Sequence, residues 1–171
     1  MSHLTLLTDE QASPRAQQIF AEIKAAFGMV PNIFRTMGHA PAVLQHTLGL
    51  NQAIHSELDP KLRELAYLTA SRINQCGYCE HYHVGMAKKV GLTDAQIKDL
   101  GTPLHSTAYS ELEKLVIRFA AEWTREGKAS AEVVQALRGQ LTEAQLVTLA
   151  AVVGLANWTN RYNETFGIPL P

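Results

Sequence analysis

The sequence predicts an all-α protein, a compact single domain of about eight or nine helices. Three observations carry that expectation. Apolar residues recur at three- and four-residue spacing along most of the chain. Ser, Thr or Asp repeatedly stands just before such a run, followed by Pro or, three residues on, by Gln or Glu. No segment alternates apolar and polar residues with the period of two that a half-buried strand needs.

Ser13-Pro14 reads as an N-cap and first helical proline, followed by Ile19, Phe20, Ile23 and Phe27, with Gly28 as the stop. Met29-Val30-Pro31-Asn32 connects to a short helix from Ile33 to Met37, ended by Gly38. Pro41 starts a third helix, with apolar positions Val43, Leu44, Thr47, Leu48 and Ile54. Asp59-Pro60 opens the next in the cap-then-proline manner. There Leu62, Leu65, Ala66, Thr69 and Ile73 form a stripe that Tyr67 and Leu68 widen, so this helix is expected to be central. A break from Gln75 to Gly77 precedes a helix to about Val90, ended by Gly91. Thr93 with Gln96 boxes a short helix to Leu100, and Gly101 to Tyr109 is the longest candidate loop. Ser110 with Glu113 opens an amphipathic helix through Leu112, Leu115, Val116, Phe119 and Trp123. Ser130 caps a short helix to Arg138. Thr142 with Gln145 starts the last helix, which carries Leu146, Leu149, Val152, Val153 and Ala156 toward Arg161, and Phe166-Gly167-Ile168-Pro169 leaves it.

A single domain over residues 1–171 suits this length, which buries about two-thirds of the unfolded surface without help from disulfides or metals. With 46% hydrophobic and 18% charged residues the chain is neither disordered nor fibrous. A net charge of -1 argues against nucleic acid or an anionic membrane as partner. The longest apolar run, Leu149 to Ala156, is about half a membrane span. Met1 to Glu10 lacks the basic-then-apolar pattern of a signal peptide, so a cytoplasmic location is expected.

The chemistry concentrates between Glu64 and His83. The only cysteines are Cys76 and Cys79, in Cys76-Gly77-Tyr78-Cys79, and His83 follows four residues later. A bond between these cysteines closes too small a loop to stabilise the fold much, so redox chemistry or metal binding explains them better. At helical spacing Cys76, Cys79 and His83 share one face, with His83 expected within reach of the Cys79 sulfur. A thiolate is the nucleophile, a helix's first turn favours it, and an imidazole can take its proton. A second thiol can trap the oxidised sulfur as a disulfide. Spacing alone does not fix which cysteine attacks; nearness to His83 favours Cys79 as nucleophile and Cys76 as resolving thiol. Glu64 lies off the main stripe of its helix, on the face with Leu68 and Ser71. If buried, it must be paired, and beside an imidazole it could relay protons.

Glu64, the Cys76–Cys79 pair and His83, with Arg63-Glu64 and Asn74-Gln75-Cys76 around them, resemble the signature of the alkylhydroperoxidase D-like branch of the carboxymuconolactone decarboxylase family. Gly28-Met29-Val30-Pro31-Asn32 and Asn160-Arg161 resemble its peroxidase-related single-domain members. The resemblance implies an all-α fold assembled as trimers or hexamers and an antioxidant, thiol-dependent peroxidase or disulfide reductase. It implies that Cys79 attacks a hydroperoxide, that Cys76 forms the disulfide, and that His83 and Glu64 move protons. A lipoyl-bearing or thioredoxin-like dithiol would restore the enzyme, with no bound cofactor. The best-known members carry histidine inside the Cys-x-x-Cys segment; this chain has Tyr78.

The competing readings are blander. The cysteines could be inert core residues. Zinc could use Cys76, Cys79 and His83 with His81 or Glu64, but structural zinc sites draw ligands from separated segments. His81 is expected to face solvent, and His3, His39, His46, His55 and His105 show no partner pattern. Asn157, Asn160, Arg161 and Glu164 share a face suited to helix–helix hydrogen bonding or a subunit contact, and Trp123 and Trp158 to core or interface packing. Functionally, the alternatives are a non-redox lyase of the decarboxylase type and a redox-sensing oligomer with little turnover.

Overall fold

The computed structural model describes residues 2–100 and 106–171. Most of the Gly101 to Tyr109 segment, including His105, lies outside the described residues. Among the described residues there are nine α-helices and no strand. They are α1 (Pro14–Phe27), α2 (Asn32–Met37), α3 (Pro41–Ala53), α4 (Pro60–Ile73), α5 (Gly77–Lys89), α6 (Asp94–Asp99), α7 (Glu111–Glu126), α8 (Ala131–Arg138) and α9 (Glu143–Phe166).

The capping signals act as the sequence predicts. Ser13, Ser110, Ser130, Thr93 and Thr142 each accept a backbone N–H three residues on. Asp59 accepts from Lys61 N at 2.8 Å and Leu62 N at 3.3 Å. Gln96, Glu113 and Gln145 return the bond to complete capping boxes. Each such cap is worth about 1 kcal/mol.

Helix α4 is central, packed against α5, α7 and α9. Every residue from Leu62 to Ser71 is buried, so it meets neighbours on all sides. Leu65 and Leu68 of α4, Val116 and Ile117 of α7, and Leu149 and Val152 of α9 lie in one core. Each fully buried side chain of this size contributes about 1.5–3 kcal/mol. Lys61 Nζ meets Glu113 Oε1 at 2.7 Å, tying the start of α4 to that of α7.

Helix α3 departs from the expected stripe. It buries Leu44, with Ile54 just past its end, but leaves Val43 exposed and Thr47 and Leu48 half-buried. It sits at the outside, against α1, α2 and α9, and only one line of side chains faces inward. Helix α9 runs on beyond Arg161 to Phe166. Tyr162 and Phe166 meet edge to face one turn apart at 4.9 Å, and the Tyr162 hydroxyl donates to Thr36 Oγ1 at 3.1 Å.

The α4–α5 elbow positions the chemistry. Gln75 takes φ +55°, the left-handed region. Its N–H donates to Arg72 O at 3.1 Å, and Cys76 N–H donates back to Ser71 O at 2.9 Å. These two bonds make a Schellman termination of α4, with glutamine where glycine is usual. Helix α9 pins the elbow from the side. Asn74 Nδ2 donates to Asn157 Oδ1 and Asn160 Oδ1, at 3.1 and 3.0 Å, and Asn160 Nδ2 donates to Ser71 Oγ at 3.1 Å.

Candidate active site

Cys76 is the N-cap of α5, and its sulfur accepts the Cys79 N–H at 3.3 Å. Cys79, the third residue of α5, has its Sγ 2.9 Å from Cys76 Sγ; both are free and buried. A disulfide needs about 2.05 Å, so a small approach would close one.

The two sulfurs have unequal surroundings. Cys79 accepts a bond from Asn163 Nδ2 at 3.2 Å, while Cys76 lies 4.0 Å from the same nitrogen. The Cys76 S–H pointing at Cys79 holds the Cys79 thiol below its ordinary range against the effect of burial, helped by Asn160, Asn163 and Thr159. Donating that same hydrogen, and then burial, push the Cys76 thiol up. These contacts favour ionisation at Cys79 over ionisation at Cys76.

Glu64 is only 3% exposed. Its Oε2 accepts from His83 Nδ1 at 2.8 Å, and its Oε1 lies 3.4 Å from Arg63 Nε. A carboxylate can only accept, so Nδ1 carries a proton. The imidazole stacks on Tyr67, with centroids 3.5 Å apart and 11° between planes. The Tyr67 hydroxyl is bonded to Thr159 Oγ1.

All four sequence-identified residues thus gather where α4, α5 and α9 meet, but as two pairs. His83 makes no hydrogen bond to either sulfur, since Glu64 takes its Nδ1 and Tyr67 covers its ring. Cys79 is thus distinguished from Cys76 by its amide partner and not by a bond to His83. Asn163 went unnoticed in the sequence, although it continues the three-residue spacing of Asn157 and Asn160. Those two do make helix–helix hydrogen bonds, whereas Arg161 and Glu164 are exposed.

Tyr78 is buried, and its hydroxyl accepts the Ile33 N–H at 3.3 Å. Pro31 offers α2 no side-chain cap, so Tyr78 satisfies one of the N-terminal amides that a helix leaves unpaired. His81 is exposed as expected. Trp123 packs edge-on against Phe119 at 5.4 Å, while Trp158 is 46% exposed. Among the described residues no three His, Cys, Asp or Glu side chains converge as a metal requires, and no helix is long and apolar enough to cross a membrane.

The fold is shared with solved structures. An uncharacterized peroxidase-related protein from Ralstonia eutropha JMP134, described as an alkylhydroperoxidase AhpD core, superposes with a TM-score of 0.85 at 20% identity, covering 99% of this chain and 92% of its own. A cysteine-to-alanine variant of the debrominase Bmp8, in complex with 2,3,4-tribromopyrrole, gives 0.83 at 20% identity, covering 100% and 94%. Both likenesses show the fold. The uncharacterized protein YdfG of Bacillus subtilis (strain 168) is 26% identical over 114 residues, 66% of this chain and 78% of its own length. Residues 41–122, which contain α4, the elbow and α5, match the Carboxymuconolactone decarboxylase family, and the fold around them is the one seen in the AhpD-like structure.

Proposed function

We propose that this protein is a thiol-dependent peroxidase or disulfide oxidoreductase acting on hydroperoxides. The observation that carries the reading is the pair of free, buried sulfurs 2.9 Å apart, of which one alone has a close amide donor. The Cys79 thiolate attacks an oxygen of the peroxide. A sulfur–oxygen bond forms, the O–O bond breaks, and the departing alkoxide takes a proton. The Glu64–His83 pair serves that proton movement through His83 Nε2. Cys76 then attacks the Cys79 sulfenic acid, forming the disulfide and releasing water. Peroxide gains two electrons and the two thiols lose them; a lipoyl-bearing or thioredoxin-like dithiol returns them.

An apolar groove supports self-assembly. Val43 and Leu50 of α3 and Trp158 of α9 expose apolar surface beside Leu155. Copies of the chain pair through it as a trimer or hexamer.

The test is peroxide treatment of the reduced protein, following intact mass and thiol loss. Wild type should lose about two mass units as the disulfide forms. Cys76→Ser should accumulate a sulfenic acid, and Cys79→Ser should stay inert. A wild type no faster than free cysteine would end the peroxidase reading. Activity on a lactone substrate that survives Cys79→Ser but not His83→Ala would establish the lyase reading instead.

A further inference from the structure

Asn163 is 2% exposed and reaches the cysteine pair from α9. Its Nδ2 favours one sulfur, 3.2 Å from Cys79 against 4.0 Å from Cys76. Its Oδ1 is buried without a hydrogen-bond partner. Buried carbonyl oxygens are rarely left so. This one belongs to the carboxamide that touches the sulfur, so it lies beside the site where an oxidised Cys79 would carry its new oxygen.

We propose that Asn163 selects Cys79 as the attacking sulfur, its Nδ2–H donating to the thiolate and its Oδ1 accepting the hydroxyl of the Cys79 sulfenic acid. The second half rests on the peroxidase reading above; the first does not. A thiolate only accepts, whereas a sulfenic acid brings an O–H, and one carboxamide offers a group for each. A hydrogen bond to ionised sulfur is of the stronger, charge-assisted kind. In the step served, the thiolate displaces alkoxide from the peroxide, the alkoxide gains a proton, and the sulfur-bound oxygen keeps its own hydrogen, which it donates in a hydrogen bond to Oδ1.

The titratable groups facing Cys79 are Cys76 and Tyr78 on α5 and Tyr67 on α4, while Glu164 on α9 faces Cys76. Burial pushes both tyrosines above their ordinary range, so neither ionises while Cys79 titrates.

The experiment follows ultraviolet thiolate absorbance against pH. Cys76→Ser leaves Cys79 as the single thiol, and Cys79→Ser leaves Cys76. Adding Asn163→Leu, which keeps about the same shape and loses the donor without adding a charge, should raise the Cys79 midpoint by about one pH unit or more. It should move the Cys76 midpoint far less. An unmoved Cys79, or equal movement of both thiols, would overturn the proposal in favour of a structural role. Sulfenic acid persistence in the Cys76→Ser background tests Oδ1. It should be retained in Asn163→Asp, which keeps an acceptor, and shortened in Asn163→Leu, or in Asn163→Ala should the leucine variant not fold. Equal persistence in all would remove the acceptor role. Failure of Cys76→Ser itself to form a sulfenic acid would count against the peroxidase reading and the acceptor role together, with the titration still deciding the donor role.

Discussion

Tyr78 sits between the two cysteines, yet its hydroxyl faces away from their chemistry, on the Ile33 amide. Tyr78→Phe should therefore cost about 1–2 kcal/mol in chemical denaturation, because it strands a buried N–H. The Cys79 thiolate titration should not move. A shift in that titration with unchanged stability would place the hydroxyl on the sulfur instead. At this scale the sequence reveals what lies close along the chain. Cys76, Cys79 and His83 follow from spacing on one helix, and Glu64 stands out as a carboxylate in an apolar helix. The Asn163 contact with Cys79 spans 84 positions and the Tyr78 contact with Ile33 spans 45. No periodicity carries such information, because helix-to-helix packing decides which polar side chain meets which. The same packing bonded His83 to Glu64 rather than to either sulfur.

The elements were more legible, because helix ends are governed by local hydrogen bonding. Ser13, Asp59, Thr93, Ser110, Ser130 and Thr142 all cap where their sequence context predicts. The outer face of α3 was not legible, since Val43 reads as core whether it meets the protein's own interior or another surface. The α4–α5 break was visible, but not its form. Gln75 adopts a left-handed backbone that costs a non-glycine residue about 1 kcal/mol. Gln75→Gly should relieve that strain, less the larger entropy glycine gives the unfolded chain. A net gain of no more than about 0.5 kcal/mol in a denaturant melt is expected, with the thiolate titration preserved. A loss of stability would mean that the Gln75 side chain contributes more than its backbone costs.

For the whole molecule, α4 holds the core while α9 runs along one side of it, bonded to the elbow and the sulfurs at one end. The same helix carries Trp158 outward beside Val43 and Leu50. Trp158→Glu should dissociate an assembly built on that face, read as a fall in mass by light scattering, with the helical circular dichroism retained. An unchanged mass would put any interface elsewhere. The position of Cys76 ties these scales together. Its sulfur is both half of the cysteine pair and the group that caps α5. Were the proposed disulfide to form, that sulfur would become a weaker acceptor for the Cys79 N–H, which would loosen the first turn of α5 just where Tyr78 secures α2. By reciprocity, whatever tightens that turn favours the dithiol form. On the proposed chemistry, the firmness of this helix end and the state of the cysteine pair are then one equilibrium read from two sides.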